Sequence, residues 1–244
     1  MNQFLSEQEL TVFKELINNY KMNSQAASEF IASNFAVIAG PAGAGKDTLR
    51  NMLTKDNPAR YSAVLSTTTR PPRTGEKNAI DYHFRTKEEV RKSLEAGEFF
   101  QAALVHKQQV SCLHISEIQK LKPGQIGLSI LIVQTEREMA KIKPDIRTLF
   151  IIPPNLDELK RRMQASRQLD NEEIERRLNA AKSELELALE NTDYYCLVND
   201  DLELTSRMAR QFFEKGSIDS SEEAKDRQAL GRLLDELSSP SVVD

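Results

Sequence analysis

An α/β fold, with a P-loop-type parallel sheet covered by helices on both faces, is predicted by three observations. Short continuous apolar runs recur along the chain: FAVIAG, SAVLSTT, IGLSILIV, RTLFIIPP and YYCLVND. Charged stretches of helical pattern, such as TKEEVRKSLEAG and NLDELKRRMQ, separate them. A glycine-rich loop joins the first run to a helix-forming segment. Strands that are apolar at every position, rather than at alternate ones, are buried on both faces, as in a parallel sheet between helix layers.

Taken in order, the elements begin with a helix over residues 6 to 20. Ser6 and Glu9 make a capping box ahead of Val12, Phe13, Leu16, Ile17 and Tyr20 at helical spacing. The strand FAVIA follows, then the loop and the helix DTLRNML. Between residues 66 and 112 a polar loop, an alternating DYHF and the run EFFQAALV predict a smaller strand-rich insertion that forms one wall of a cleft. Ser220 with Glu223 repeats the capping device before Leu230, Leu233, Leu234 and Leu237, and SSPSVVD reads as a loose tail. Both terminal helices need a cover for their apolar stripe. Packing on the same domain is the plainer expectation, and a homodimer contact is the alternative.

Composition bounds the function. With 244 residues the chain has room for one substantial core, or a core plus a small appendage. A formal charge of −4 with 29% charged residues argues against a mainly electrostatic nucleic-acid binder, so any basic site must be local. Cys112 and Cys196 lie far apart with no CxxC pair, so neither a zinc site nor a disulfide framework is implied. A reducing, cytoplasmic setting fits, and the first thirty residues carry neither a signal-peptide pattern nor the ~18-residue apolar run of a membrane span.

The chemistry concentrates in NFAVIAGPAGAGKDTLRNML. Gly40, Gly45 and Lys46 give G-x-x-x-x-G-K between a strand and a helix. Glycines let backbone N–H groups turn inward, the helix N-terminus adds a positive field, and a lysine reaches the outer phosphates. Gly40, Ala42, Gly43, Ala44, Gly45, Lys46, Asp47 and Thr48 are therefore the candidate ATP loop. Asp47 stands where such loops usually carry a hydroxyl. A carboxylate can ligate Mg²⁺ directly or through its waters, or Thr48 can supply the hydroxyl; alternatively, Asp47 merely favours the positive helix terminus.

A second anion site is expected in STTTRPPRTGEKNAIDYHF, where two prolines hold Arg70 and Arg73 apart and limit the entropy lost when both guanidinium forks close on one phosphate.

Together, GPAGAGKDT, STTTRPPRTGEKNAIDYHF and VNDDLE, with IIPPNLDELKRRM and EEIERRLNAAKSEL between the last two, resemble the guanylate kinase family over about residues 34 to 214. The resemblance implies a nucleoside monophosphate kinase that uses ATP and Mg²⁺. Its parts would be a helical extension over 1–32, a kinase domain over 33–215 and a terminal helix with tail over 216–244. Within the domain, the nucleotide-monophosphate insertion would span about 66–112 and the lid about 160–177. It implies Lys46, Arg162 and Arg177 as catalytic groups and Asn199 and Asp200 beside the adenine. Ser66, Arg70, Arg73, Glu76, Tyr82 and Gln101 would line the acceptor nucleotide's pocket. Considered on the helix alone, Arg176 and Arg177 read instead as surface partners of Glu172 and Glu173, a reading that the resemblance reverses for Arg177.

The sequence departs from the family at the acceptor base. The expected glutamate is Gln101, the phosphate-contacting tyrosine is Val110 and the small hydroxyl residue is Cys112, while two acidic positions fall on Ile130 and Ile132. The lid arginine is displaced by one place, with Arg167 following Ser166. Two further readings stay open on these grounds. Ribose bisphosphate phosphokinases also resemble GPAGAGKDT, and a catalytically inactive binding module would retain the fold without the base-reading acids. The implied partners are small-molecule nucleotides, with no nucleic acid and no membrane, beside the homodimer alternative for the terminal helices.

Overall fold

Phe35–Ala39 (β1) is buried along its whole length, and the helix Lys46–Asp56 (α3) follows the glycine loop. Before them lie Glu7–Asn18 (α1) and Ser24–Ala32 (α2). After them come the short strands Tyr61–Ala63 (β2), Thr67–Thr68 (β3) and His83–Phe84 (β4), then helix Lys87–Glu95 (α4) and strands Phe99–Val105 (β5) and Gln109–His114 (β6). Ser116–Gln119 (α5), Ile126–Ile130 (β7) and Val133–Ala140 (α6) lead to Arg147–Ile152 (β8). The chain ends through Leu156–Arg167 (α7), Asn171–Glu190 (α8), Tyr195–Val198 (β9), Leu202–Lys215 (α9) and Ser220–Ser238 (α10). The computed structural model describes residues 5–105, 109–167, 171–217 and 220–239, so the tail from 240 and lid residues 168–170 lie outside the described residues.

The chain divides into two units, one of residues 1–35, 62–129 and 138–144 and the other of 36–61, 130–137 and 145–244. In the second unit β1, β8 and β9 run parallel, with Val37 opposite Thr148 and Phe150 opposite Cys196. Their side chains are buried on both faces, as expected of strands that read apolar at every position. Helix α10 lies against α8 and β9 and buries Leu230 and Leu233 there. It begins at Ser220, so this serine is a helical residue and not the cap that the sequence predicts.

The first unit is built on a four-stranded sheet in the order β4-β3-β6-β5. The predicted single run SAVLSTT is split between β2 and β3. Val64 still bonds to Leu128 of β7, whereas Thr67 pairs with Cys112 of β6. The Ser6–Glu9 capping box forms as predicted, with Ser6 N–H donating to Glu9 Oε2 at 2.8 Å. It starts a helix whose Phe13 is buried with Val90, Leu94, Phe99, Val110 and Cys112. Tyr20 fixes the far end of that contact by donating its hydroxyl to Phe99 O at 2.5 Å and accepting from Phe99 N–H at 2.8 Å.

Candidate active site

The phosphate loop owes its shape to close contacts within the second unit. Gly40 has φ +133°, and a Cβ there would lie 2.1 Å from Ile151 O of β8, so only glycine fits. Gly45 has φ +95°, and its missing Cβ makes room for the Asn199 amide, whose Nδ2 donates to Ala44 O at 2.8 Å. Asn199 thus braces the loop from the end of β9. Ala42 packs with Leu159, Met163 and Ala181 of α7 and α8, and Ala44 is fully buried.

Lys46 folds back over this loop. Its ammonium donates to Gly40 O and, at 2.9 Å, to Pro41 O. Burial pushes the lysine below its ordinary pKa, while Glu184 and Asp47 act in the opposite sense. Asp47 itself is exposed, with Arg50 3.5 Å away, and Thr48 is exposed beside it. Arg162 donates to Glu158 Oε1 at 2.6 Å and to Asn199 O at 3.0 Å, which ties α7 to the segment that braces the loop. Arg177 donates to Glu173 Oε1 at 2.7 Å. The helix pairing weighed for Arg176 and Arg177 therefore exists, but both converge on Glu173. Asp200 is exposed next to buried Asn199.

The second basic site lies in the first unit. Both oxygens of Glu76 accept from the buried Arg70 guanidinium, at 2.5 and 2.9 Å, and Oε2 also accepts from Arg73 N–H at 2.8 Å. The Arg70 plane lies over the rings of Tyr82 and Phe84, 4.9 and 5.4 Å from their centroids. Burial alone pushes Glu76 up, but the bonds from Arg70 and Arg73 outweigh it and hold the carboxyl below its usual range. Ser66 O accepts from His83 N–H at 2.9 Å, which anchors the start of the loop.

Strand register sorts the neighbouring residues by face. Thr68 pairs with Phe84 and Ser111, and Ser111 with Ala103, so these share the face that Arg70 covers. Gln101, two residues before Ala103, belongs to the same face. Val110 and Cys112 belong to the other and are fully buried under Phe13 and α4. Ile132 is 49% exposed.

The guanylate kinase family model matches residues 32–216. The chain belongs to the guanylate kinase family. A guanylate kinase of Synechococcus sp. (strain JA-3-3Ab) is 38% identical over 167 residues, covering 68% of this chain and 76% of that protein. One from Helicobacter pylori (strain ATCC 700392 / 26695) is 36% identical over 170 residues, covering 70% and 81%. The crystal structure of guanylate kinase from Anaplasma phagocytophilum shares the fold, with a TM-score of 0.58 and 22% identity over 78% of this chain and 89% of that one.

Against that family background, Gly40, Gly45, Lys46 and Asn199 come together in the second unit, joined by Arg162. Ser66, Arg70, Glu76 and Tyr82 come together in the first. Gln101 shares their sheet face. The displaced lid arginine, Arg167, closes α7, and the residues that follow it lie outside the described ones. Sequence reasoning missed Glu184 of α8, whose carboxyl is pushed up by burial while Lys46 works in the opposite sense. It also missed Glu117, which accepts from Leu65 N–H at 2.9 Å and contacts His83 at 3.0 Å. Neither belongs to a motif that the sequence displays: Lys46, Leu65 and His83 are distant from them in the chain, although Glu117 also pairs locally with Lys120.

Proposed function

We propose that this chain is an ATP-dependent nucleoside monophosphate kinase that moves the γ-phosphoryl group of ATP to GMP, giving GDP and ADP. The observation that carries this reading is the loop over which Lys46 is folded, in which Gly40 admits no side chain and Asn199 locks the carbonyl of Ala44. Backbone N–H groups of such a loop and the α3 terminus are suited to phosphate oxygens, and Lys46 would leave its two carbonyls to meet the outer phosphates.

Arg70, Arg73 and Tyr82 would hold the acceptor phosphate, Ser66 and Glu76 would line the same pocket, and Gln101 would face the acceptor base. Glu76 would hold the Arg70 fork in one orientation until the phosphate takes its place. Arg162 and Arg177 would exchange their glutamate partners for the moving phosphoryl group, because phosphoryl transfer mainly asks the protein for alignment and spread positive charge. Asp47 and Thr48 present exposed oxygens beside the loop, the donor type that Mg²⁺ takes, and the ion would supply further charge neutralisation. The domain roles follow: residues 33–215 form the kinase, with its insertion at about 66–112 and lid at about 160–177, flanked by helical extensions.

Among the described residues no helix is long and apolar enough to cross a membrane, and a cytoplasmic setting fits a nucleotide kinase. Self-association through the terminal helices would have to use exposed residues such as Val12, since Phe13, Leu230 and Leu233 are buried within the chain. The test is ADP release with GMP, dGMP, AMP, CMP, UMP and ribose 1,5-bisphosphate. Turnover with GMP that Lys46→Ala abolishes is expected, and no turnover with any acceptor would remove the proposal. Ile130 and Ile132, in place of acids, favour one second reading, an acceptor other than GMP, which the same panel resolves.

A further inference from the structure

The arginine loop of the first unit hangs on a very short piece of sheet. Strand β4 has two residues, His83 and Phe84, and stands at the edge of its sheet beside β3. His83 N–H donates to Ser66 O at 2.9 Å and Arg85 N–H to Thr68 O at 3.1 Å. So little pairing does not by itself hold an edge strand firmly. Yet the two rings that the Arg70 guanidinium covers, Tyr82 and Phe84, flank His83 in the chain.

Successive side chains of a strand point to opposite faces, so His83 points away from the face that carries those rings. There its Nε2 lies 3.0 Å from Oε1 of Glu117, a carboxylate of α5 that is almost wholly buried. Oε2 of the same group accepts from Leu65 N–H at 2.9 Å, in the link between β2 and β3, and Oε1 also accepts from Lys120. Burial alone pushes the Glu117 carboxyl up, but Lys120, Leu65 N–H and His83 outweigh it and hold it below its usual range. A buried carboxylate bonded through both oxygens is a firm tie between segments, because its bonds are charge-assisted and little water is there to replace them.

We propose that Glu117 and His83 are positioning residues for the acceptor grip: the pair clamps β4 to the link that leads into the arginine loop, and so fixes the platform of Tyr82 and Phe84 on which the Arg70 guanidinium lies. This rests on the reading of that loop as the acceptor-phosphate site. Glu76, which holds the guanidinium by both oxygens, gives way when phosphate takes its place. The Glu117–His83 contact lies on the other face of β4 and stays made throughout. Arg70 therefore keeps its orientation after its own carboxylate has gone.

His83→Leu removes the ring nitrogen, and His83→Gln returns an amide N–H at a similar reach. In initial-rate measurements His83→Leu should raise the KM for GMP about tenfold, the worth of one bond to a charged partner, with kcat and the KM for ATP changed less than about twofold. His83→Gln should recover most of the lost affinity. An unchanged KM for GMP in His83→Leu, or equal rises for both substrates, overturns the proposal. In a Glu117→Gln background, His83→Leu should raise the KM for GMP by a much smaller factor, since the charged partner is already gone. The same factor in both backgrounds means that His83 acts without Glu117, and overturns the pair.

A second measurement needs no nucleotide. Exchange of the Arg85 amide hydrogen, which bonds to Thr68 O, should be about tenfold faster in His83→Leu than in the wild type, while the amides paired between β5 and β6 keep their rates. Unchanged exchange at Arg85 overturns the clamp. If the wild type does not turn over GMP, the kinase reading fails, and exchange still decides whether the pair anchors the strand.

Discussion

The two basic loops of this chain are held in shape by opposite means. The glycine loop of the second unit is shaped by exclusion: Gly40 lies against Ile151, Asn199 fills the space at Gly45, and Lys46 is bonded to the loop's own carbonyls. The arginine loop of the first unit is shaped by attraction. Its backbone is exposed from Pro71 to Gly75, and Arg70 is kept in place by Glu76 and by two aromatic rings. A loop built by packing is rigid before any ligand arrives, whereas one built by ion pairing can exchange a carboxylate for a phosphate with little change in shape.

The contrast breaks most sharply at Gly40. Gly40→Ala places a methyl group 2.1 Å from a backbone oxygen that has no side chain to move aside. With strain at positive φ added, a loss of about 3 kcal/mol or more is expected, read as a lower urea midpoint, together with loss of ATP turnover. Gly75 tests the other half of the comparison at once, since a Cβ there meets nothing within 4 Å. Gly75→Ala should cost only about 1 kcal/mol, from its positive φ. Equal losses at the two glycines would erase the distinction.

Next in size is the first unit's own apolar support. Phe13 of α1 packs over Val110 and Cys112. Phe13→Ala should cost about 3–4 kcal/mol if the cavity does not collapse. Differential exchange of amide hydrogens should then place the loss in α1 and β5–β6 and leave the protection of β1 and β8 in place.

Arg70→Ala sharpens the comparison at the level of ion pairing. It leaves the part-buried Glu76 carboxylate with the Arg73 N–H but without either bond from the guanidinium, and a cost of about 1–3 kcal/mol is expected. Kinetically, the acceptor's KM should rise at least about tenfold while ATP affinity changes little, since removal of a charged hydrogen bond is worth about 1.5–3 kcal/mol. Equal loss of both affinities would contradict the assignment of the two loops to different substrates.

What the sequence made legible divides along the same line. The FAVIA strand, glycine loop and following helix were readable because one local segment carries all their constraints. The Ser6–Glu9 cap was equally local. The split of SAVLSTT was not, because no glycine or proline marks the point at which the hydrogen-bond partner changes from Leu128 to Cys112. At Val110 and Cys112 the sequence displayed departures from the family without their reason. The structure supplies one: both side chains face Phe13, and a polar or larger group would have to be buried beneath α1. Glu117 was hidden because its two distant partners, Leu65 and His83, come to it only in the fold.

A smaller effect than at Arg70 concerns α10, which places an acid where burial opposes its charge and, unlike at Glu76, prevails. Burial pushes Asp226 up to about 6, the backbone N–H of Val198 works against that shift, and nearby Glu222 adds to it. A folded-state pKa above the ordinary carboxylate value means that the folded chain holds the proton more tightly. The associated stability is therefore present below about pH 4 and is lost as pH rises through about 6. With the partial exposure of Asp226 discounted, Asp226→Asn should raise stability at pH 7 by about 1–2 kcal/mol. Its urea midpoint should converge with that of the wild type near pH 4 and separate from it above pH 6. Parallel curves across that range would mean that the helix docks with this carboxylate already solvated.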